Sequence, residues 1–454
     1  MNIEEIVEKQ RAYFLSGNTL SLESRLASLK KLRDAVKDNE EAIAKALYAD
    51  LGKQELEAYM TETGMVLEEL KFVIRRLKSW AKPESVKTPP AQFPSRSFVV
   101  PEPYGVALIM SPWNYPFQLT IEPLIGAIAA GNCCVLKPSA YAQSTSKLIA
   151  GIIEETFPPE YVTVVEGGRE QNQKLLQQKF DYIFFTGSVT VGKYVMECAS
   201  RNLTPVSLEL GGKSPVIIDE TANLPVAAKR LAFGKYLNAG QTCVAPDYLY
   251  IKDSICERFI EEYKKAVAGF FPNGDYSHMP TIVNDKHYER IMGLIDPAKA
   301  VIGGRGDPSR RFIEPTLMKG VTWDDAVMKE EIFGPIMPVL TYSDLDEAIA
   351  EITARPKPLA LYLFTTDKSV EKKVLTRVSY GGGCVNDTIV HLATSHMGFG
   401  GVGDSGMGAY HGKLSFDTFT HYKSVLKKAN WLDLPMRYHP YTGKNMRIIK
   451  RFMK

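Results

Sequence analysis

The amino-acid sequence predicts an α/β protein with two parallel-sheet lobes and a small appended element. Residues 1–80 carry apolar side chains at helical spacing, whereas short apolar runs alternate with helical segments from residue 104 onward. A second alternation follows Cys243, with strands expected near Tyr248–Ile251 and Leu359–Phe364. Because strands that alternate with helices form parallel sheets covered on both faces, we expect two such sheets.

The N-terminal residues predict helices followed by an extended arm. One helical face is marked by four leucines: Leu22, Leu26, Leu29 and Leu32. The helical pattern is expected to stop at Gly52. The proline-bearing stretch from 83 to 103 has strand-like pieces and is expected to lead from one domain to another.

The first alternation of strands and helices runs from residue 105 to residue 185. Strands are expected at 105–110, 133–136, 161–165 and 182–185, and helices at 121–130 and 144–156. The first of these helices is expected to end at Gly131.

Composition indicates a soluble protein of the cytoplasm. The 454 residues, 45% hydrophobic and 24% charged, suffice for two or three domains. The 55 Lys+Arg against 52 Asp+Glu leave a net charge of +3, so no nucleic-acid partner is expected. The six cysteines show no C-x-x-C spacing, so we expect reduced thiols and no metal site. The apolar stretch 104–121 is interrupted by proline and asparagine, so no transmembrane anchor is expected.

Cys243 lies among small and polar residues, in the stretch Asn238-Ala239-Gly240-Gln241-Thr242-Cys243-Val244-Ala245-Pro246. A cysteine that only packs usually has apolar neighbours. The helical segment at 224–233 is expected to end near Gly240, which places Cys243 on the loop that leaves a helix. This position fits a catalytic thiol as well as a structural one.

A glycine-rich turn follows the strand expected at 182–185 and opens a helical segment. Gly187, Gly192 and Lys193 match the spacing G-x-x-x-x-G-K, but Tyr194 stands where a phosphate-binding loop needs Ser or Thr. Val189 replaces the second glycine of the usual dinucleotide fingerprint. Phosphate binding at the helix N-terminus and a tight turn without a ligand both remain open.

Six segments in order resemble the aldehyde dehydrogenase superfamily across most of the chain. They are Pro112–Pro116, Leu136–Ser139, Phe185–Ser188, Leu208–Lys213, Gly240–Cys243 and Glu330–Pro335. The short N-terminus and the stretch Met407–Lys413, followed by Ser415–Phe419, are most similar to the class-three branch.

The resemblance implies NAD(P)-dependent oxidation of an aldehyde to the carboxylic acid. Cys243 is then expected to attack the carbonyl as a thiolate, forming a thiohemiacetal and next a thioester. The side-chain amide of Asn114 and the backbone N–H of Cys243 are expected to stabilise the oxyanion. Glu209, at the end of a strand-like run, is expected to activate the water that hydrolyses the thioester.

The resemblance also implies a site for NAD and/or NADP. The expected cofactor residues are Lys137, Thr186, Gly187, Ser188, Gly192, Leu210, Gly211, Glu331 and Phe333. Lys137 and Glu331 are expected to hold the two riboses, and Phe333 to pack beside the nicotinamide ribose. Ala140 stands where many members carry a glutamate that would repel a 2′-phosphate, so the sequence does not exclude NADP.

In domain terms, the resemblance implies a Rossmann-type NAD(P)-binding domain at 1–82 and 104–208 and an α/β catalytic domain at 209–415. It also implies a bridging arm, made of 83–103 and 416–454, through which a homodimer forms. Within this arm, the basic tail 443–454 has apolar residues near helical spacing and is expected to contact protein rather than membrane.

Three rival functions are weighed against this one. A cofactor-free cysteine hydrolase needs a histidine beside the thiol, and all seven histidines follow Cys243 in the chain without a recognisable motif. An acyl-CoA-forming relative would not need Glu209 as a base, which argues against it. A non-enzymatic binding protein would not need Cys243, Glu209 and Asn114 together.

Overall fold

The computed structural model describes residues 2–452, in which helices and strands are distributed along the whole chain. The α-helices are α1 (Ile3–Leu15), α2 (Leu22–Asp38), α3 (Glu40–Leu51), α4 (Glu55–Ala58), α5 (Gly64–Trp80), α6 (Gln118–Ala130), α7 (Gln143–Thr156), α8 (Arg169–Leu176), α9 (Val189–Ser200), α10 (Leu224–Tyr236), α11 (Cys256–Phe270), α12 (Asp285–Met292), α13 (Leu345–Thr353), α14 (Lys368–Arg377), α15 (Lys413–Thr418) and α16 (Gly443–Phe452).

The strands fall into three sheets of three or more strands and one short pair. They are β1 (Glu84–Val86), β2 (Ser95–Pro103), β3 (Val106–Met110), β4 (Cys133–Lys137), β5 (Val162–Val164), β6 (Tyr182–Thr186), β7 (Val206–Glu209), β8 (Pro215–Ile218), β9 (Tyr248–Lys252), β10 (Ala300–Ile302), β11 (Gly306–Asp307), β12 (Phe312–Ile313), β13 (Thr316–Met318), β14 (Ile336–Tyr342), β15 (Ala360–Phe364), β16 (Gly382–Val385), β17 (Gly406–Met407) and β18 (Thr420–Lys428).

The helical N-terminus that the sequence predicts is confirmed. Helix α3 ends at Gly52, whose φ of 69° is the left-handed conformation that glycine adopts readily. Between α4 and α5 the chain forms a π-helical turn at Tyr59–Thr63. Such turns hold one extra residue per turn and are frequent at functional sites.

A six-stranded sheet has the order β17-β7-β6-β3-β4-β5. The five strands β3 to β7 are parallel, and their order corresponds to the 3-2-1-4-5 arrangement of doubly wound nucleotide-binding sheets. Strand β3 is buried along its whole length because helices cover both faces of a sheet of this kind. The chain reverses direction across the sheet between β3 and β6, where ligands of such sheets bind beyond the carboxyl ends.

A seven-stranded sheet has the order β10-β13-β14-β9-β8-β15-β16. Its strands are parallel except for β10, which lies antiparallel to β13 at one edge. The two parallel sheets confirm the predicted α/β fold class. Helix α10 precedes β9, so the loop between them, which holds Cys243, lies beside this sheet.

The third sheet joins the two ends of the predicted arm. Strand β2 pairs antiparallel with β1 on one side and with all nine residues of β18 on the other. Strand β17 comes late in the chain, within the predicted domain at 209–415. It pairs antiparallel with β7 at the edge of the six-stranded sheet, where it supplies hydrogen bonds that β7 would otherwise lack.

The C-terminal tail forms α16, which ends at Phe452, and residues 453 and 454 of the predicted tail lie outside the described part of the chain. Met446 in this helix has 55% of its surface exposed. Among residues 2–452, no helix has the length and apolar character that crossing a membrane requires.

Candidate active site

The turn that carries Cys243 has an unusual backbone. After α10 ends at Tyr236, three consecutive residues have positive φ: Asn238 at 50°, Ala239 at 52° and Gly240 at 75°. Left-handed backbone is costly for a residue with a β-carbon, and it persists where surrounding contacts impose it. A β-carbon on Gly240 would overlap the backbone carbonyl of Gly334, so only glycine fits there.

Hydrogen bonds join this turn to the loop that follows β3. The Asn114 side chain donates from Nδ2 to the Gln241 carbonyl at 2.9 Å. The Asn238 side chain donates in return to the carbonyls of Asn114 (2.8 Å) and Gln241 (3.1 Å). The hydroxyls of Tyr115 and Thr242 lie 2.6 Å apart. The two loops, which come from different sheets, therefore form one buried unit.

The Asn114 side chain is buried next to the turn that carries Cys243. Its residue is 2% exposed, and the side-chain NH₂ carries two hydrogens, of which the Gln241 carbonyl takes one. The second hydrogen remains available in the same buried unit as Cys243.

The environment of Cys243 disfavours its charged form. Burial is the largest cause, and the nearby carboxyl groups of Glu331 and Glu209 act in the same direction, raising the pKa of the thiol to about 12. Hydrogen bonds from the backbone N–H groups of Cys243 and Val244 oppose this increase. Cys243 is therefore a neutral thiol until one of these influences changes.

Glu209, the last residue of β7, is buried without a partner. Its residue is 2% exposed, and in residues 2–452 neither carboxyl oxygen forms a hydrogen bond. Burial raises the pKa of this carboxyl well above its usual range. Unpaired buried carboxyls of this kind are uncommon in structural positions and typical of sites that bind water or substrate.

Glu331 approaches the same site from the seven-stranded sheet. Its carboxylate lies against the α-carbon of Gly211, where a β-carbon would overlap it, and it accepts a hydrogen bond from the backbone N–H of Gly212. Burial first, and the charge of Asp247 second, raise the pKa of Glu331 to about 8.

A partly buried ion pair supports the segment that carries Glu331. Lys213 pairs with Asp247, and the Lys213 ammonium also donates to the Glu330 carbonyl at 2.8 Å. The second carboxylate oxygen of Asp247 accepts from the Ile332 backbone N–H at 2.9 Å. Both flanks of Glu331 are thus fixed by charged hydrogen bonds.

An apolar cavity of about 150 Å³ opens onto Cys243. The π-helical turn supplies Met60 and Thr61 to its wall, and further apolar surface comes from Leu119, Phe233, Leu237, Ile389 and Phe399. Apart from Cys243, its lining is dominated by hydrocarbon and aromatic side chains, so the cavity suits an apolar ligand.

A second cleft lies at the carboxyl ends of β4 and β6. Lys137, Ala140, Phe185, Thr190 and Tyr194 are among its lining residues. The Lys137 ammonium donates to the Pro138 carbonyl at 2.7 Å, and burial lowers the pKa of Lys137 to about 8. This cleft is lined by more polar groups than the cavity at Cys243 and lies where doubly wound sheets bind nucleotides.

The comparison with known proteins agrees with this geometry. The model of the aldehyde dehydrogenase family matches residues 1–425. The chain belongs to this family. The 4,4′-diaponeurosporen-aldehyde dehydrogenase of Staphylococcus aureus is 50% identical over 459 residues, covering 100% of this chain and 99% of the relative. A solved structure of Staphylococcus aureus AldH in a substrate-bound state is 49% identical, with a TM-score of 0.98 and 100% of both chains covered.

The resemblance to the class-three branch is confirmed as well. The dimeric NADP-preferring aldehyde dehydrogenase of Canis lupus familiaris is 43% identical over 452 residues, covering 98% of this chain and 99% of the relative. A family 3 member from Mus musculus is 42% identical. This aldehyde dehydrogenase is therefore an enzyme that oxidises aldehydes with NAD or NADP.

The turn from β6 into α9, whose Thr190 and Val191 line the second cleft, fits the phosphate of a dinucleotide. Within residues 2–452 the buried hydroxyl of Thr186, at the end of β6, has no hydrogen-bond partner, and Ser188 caps the N-terminus of α9 by accepting from the Val191 N–H at 3.4 Å. A β-carbon on Gly187 would lie 2.6 Å from the ring of Phe185. Free backbone N–H groups at such a helix start attract phosphate.

The other expected cofactor residues lie apart from this turn. Leu210 packs directly over Gly192, where a β-carbon would lie 2.6 Å from the leucine side chain. Gly211 and Glu331 lie beside each other on the Cys243 side. The ring of Phe333 makes an edge contact with Trp113, with centroids 5.4 Å apart.

Sequence reasoning missed several residues that shape the site. Lys213 lies in the family-like segment Leu208–Lys213, but no sequence pattern predicted its ion pair with Asp247, because the two residues meet only in the folded chain. His411 was also missed as a wall of the apolar cavity, where its Nε2 lies 3.3 Å from Glu122 Oε2. No histidine in residues 2–452 is hydrogen-bonded to Cys243, whereas His391 contacts a different thiol, Cys384, at 3.6 Å.

The electrostatics predict how the thiol titrates. Of the two nearby carboxyls, Glu331 raises the pKa of Cys243 more than Glu209 does. Glu331→Gln and Glu209→Gln should therefore both lower the pKa of Cys243, and Glu331→Gln should lower it more. The pH dependence of iodoacetamide alkylation at Cys243, followed by mass spectrometry, measures this. Glu220→Gln, an exposed change, is the matched control. An unchanged alkylation profile in both site variants contradicts the assignment.

Proposed function

We propose that Cys243, Asn114 and Glu209 carry out aldehyde oxidation in this enzyme. The observation that carries the proposal is the unpartnered, buried carboxyl of Glu209, close enough to Cys243 to raise the pKa of its thiol. A base that has no protein partner retains both oxygens for water and substrate.

In the first step the Cys243 sulfur, after losing its proton, bonds to the aldehyde carbon. The carbonyl oxygen becomes an oxyanion, which the free N–H of the Asn114 amide and the backbone N–H of Cys243 stabilise. Because the turn and the Asn114 loop are already hydrogen-bonded to each other, these donors need little reorganisation.

A bound nicotinamide would supply the hydride acceptor through which the thiohemiacetal on Cys243 is oxidised to a thioester. One end of the dinucleotide is proposed to bind at the turn into α9, next to Lys137, Thr186, Gly187 and Ser188. Gly192 and Leu210 support that turn by packing. Gly211, Glu331 and Phe333 are proposed to hold the other end, on the Cys243 side.

The thioester is proposed to be hydrolysed by a water that Glu209 deprotonates. A raised carboxyl pKa makes Glu209 a stronger base than an exposed glutamate, and release of the acid frees the thiol. Glu331 is the alternative base, because its pKa of about 8 suits the same reaction.

The Glu209→Gln variant tests this assignment. It should show a burst of reduced cofactor followed by a steady state at least about 100-fold slower than wild type, since general-base catalysis is lost while hydride transfer remains. Stopped-flow absorbance of the reduced cofactor resolves the two phases, with Glu220→Gln as the exposed control. A burst in Glu331→Gln with normal turnover in Glu209→Gln would assign the base to Glu331 instead.

We further propose that the aldehyde is long and apolar. The cavity at Cys243 is lined by hydrocarbon and aromatic groups, and the Staphylococcus aureus relative is named for 4,4′-diaponeurosporen-aldehyde. Each methylene that enters such a cavity contributes about 0.8 kcal/mol, which corresponds to ~4-fold in kcat/KM.

A ladder of straight-chain aldehydes tests the substrate class. The value of kcat/KM should increase ~4-fold per added methylene until the cavity is filled. Val390 is a lining residue that is 47% exposed, so Val390→Asp should reduce this increase without affecting the fold. Leu375→Asp, 45% exposed on α14 and absent from the cavity wall, is the matched control. A ladder that is flat in the wild type contradicts the proposal.

The enzyme is proposed to act as a homodimer whose interface includes the bridging sheet and α16. Within the described residues 2–452 one edge of β18 pairs with no other strand, and Leu426 on this strand is 47% exposed. Trp431 beyond it is 73% exposed. A long free edge with apolar neighbours is a surface that proteins usually cover.

The proposal also keeps the three predicted domains. The NAD(P)-binding domain comprises 1–82 and 104–208, the catalytic domain 209–415, and the bridging arm 83–103 and 416–454.

Leu426→Asp should weaken the dimer at least about 10-fold in Kd, because the interface would then bury a charge. Sedimentation equilibrium measures the change, and Leu203→Asp, at a residue 90% exposed outside this sheet, is the control. Deletion of 443–454 should act in the same direction. A monomeric wild-type enzyme, or a dimer indifferent to both changes, refutes the assignment.

A cytoplasmic location is proposed because all six cysteines are free, as in reducing compartments. Recovery of the activity with the cytosolic fraction of lysed cells checks it, and recovery with a secreted or membrane fraction refutes it.

A further inference from the structure

A salt bridge is completely buried beneath the Asn114 loop. The Lys53 ammonium lies 2.5 Å from Glu62 Oε1, and both side chains are 0% exposed. Removing two charges from water is costly, and apolar residues of similar size often replace such a pair without loss of stability. Stability alone therefore does not explain this ion pair. Its other contacts are with the loop that carries Asn114.

Each hydrogen of the Lys53 ammonium has a defined neighbour. One is donated to Glu62, and one to the backbone carbonyl of Asn114 at 2.8 Å. The ammonium also lies 3.9 Å from the centre of the Tyr115 ring, in the geometry of a cation–π contact. Lys53 thus contacts Asn114 and its neighbour directly.

Glu62 binds the other end of the same loop. Its Oε2 accepts hydrogen bonds from the backbone N–H groups of Phe117 (2.9 Å) and Gln118 (3.1 Å). These groups begin α6, and the first N–H groups of a helix have no partner within it. A carboxylate at this helix start is also favoured by the helix dipole.

The ion pair therefore spans the loop from Asn114 to Gln118. The π-helical turn Tyr59–Thr63 supplies Glu62 to the pair and Met60 to the wall of the substrate cavity. Lys53 and Asn238 donate to the same carbonyl, that of Asn114, so this backbone position is held from the N-terminal helices and from the Cys243 turn at once.

We propose that Lys53 and Glu62 are positioning residues, which fix the Asn114 backbone so that its side-chain amide faces the oxyanion formed at Cys243. The inference rests on the proposed role of Asn114. Neither residue touches the reacting atoms, and both act through the loop. Displacing a catalytic group by about 1 Å can cost on the order of 100-fold in rate.

A double-mutant cycle on kcat tests the inference in the full-length enzyme. Lys53→Met keeps the length of the side chain and removes its charge, so kcat should fall by about 100-fold with little change in KM. In the Asn114→Ala background the same change should lower kcat by less than about 3-fold, because the group that Lys53 positions is already absent. A merely structural role would lower kcat equally in both backgrounds.

The control is Lys45→Met, which removes the lysine of an exposed ion pair with Glu41, 73% and 83% exposed, from the same helical region. It should leave kcat unchanged. If Lys53→Met does not yield folded protein by circular dichroism, Glu62→Gln, which keeps size and shape, takes its place in the cycle with the same expected result.

The outcomes separate this inference from the function proposed above. Equal losses in both backgrounds, or a wild-type kcat in Lys53→Met, overturn the positioning role alone. A wild-type kcat in Asn114→Ala overturns the oxyanion role of Asn114 and with it the inference. If Lys53→Met lowers kcat only in the enzyme that retains Asn114, and Asn114→Ala itself lowers kcat, both the inference and the oxyanion role of Asn114 are supported.

Discussion

The hydrogen bonds between the Asn114 loop and the Cys243 turn are the constraint on which the rest of the site depends. One loop leaves β3 of the six-stranded sheet, and the other precedes β9 of the seven-stranded sheet. Their mutual bonds through Asn114, Asn238 and Gln241 fix Asn114, the proposed oxyanion donor, relative to Cys243, the proposed nucleophile. The left-handed backbone at Asn238 and Ala239 is tolerated because these contacts hold it in place.

Electrostatic interactions determine the protonation states of the acidic groups around the two joined loops. Glu209 is buried and Glu331 and Cys243 are partly buried near it, and like charges that share a poorly solvated site cannot all form. Each ionisation therefore opposes the next, as the influence of both carboxyls on the thiol pKa shows. At neutral pH burial favours the protonated forms of the thiol and of both carboxyls, so each group must lose its proton before it can act as nucleophile or base.

The sequence predicted the parts of this arrangement that follow from local pattern. The strand at 182–185, the helix ending at Gly131 and the loop position of Cys243 depend on periodicity and glycine, and all are confirmed. Two features lay beyond it. Strand β17 pairs with β7 almost 200 residues earlier in the chain, and the Lys53–Glu62 pair contacts a loop some 50 residues later. Neither contact produces a repeating pattern in the sequence, because residues far apart in the chain meet only when the sheets pack together.

The raised acid pKa values also determine how the site affects folding. The unfolded chain releases the carboxyl protons near pH 4.3, whereas the folded protein retains that of Glu331 up to about pH 8. Between these values the folded state binds more protons than the unfolded state, so this group makes the free energy of unfolding decrease as pH rises. The site is therefore a source of instability at neutral pH, which the surrounding fold must offset. Asp247 adds to this cost, because its charge is the second cause of the raised pKa of Glu331. The hydrogen bonds of Lys213 to the Glu330 carbonyl and of Asp247 to the Ile332 N–H nevertheless hold both flanks of Glu331 in place, so the carboxyl stays buried where its proton is retained.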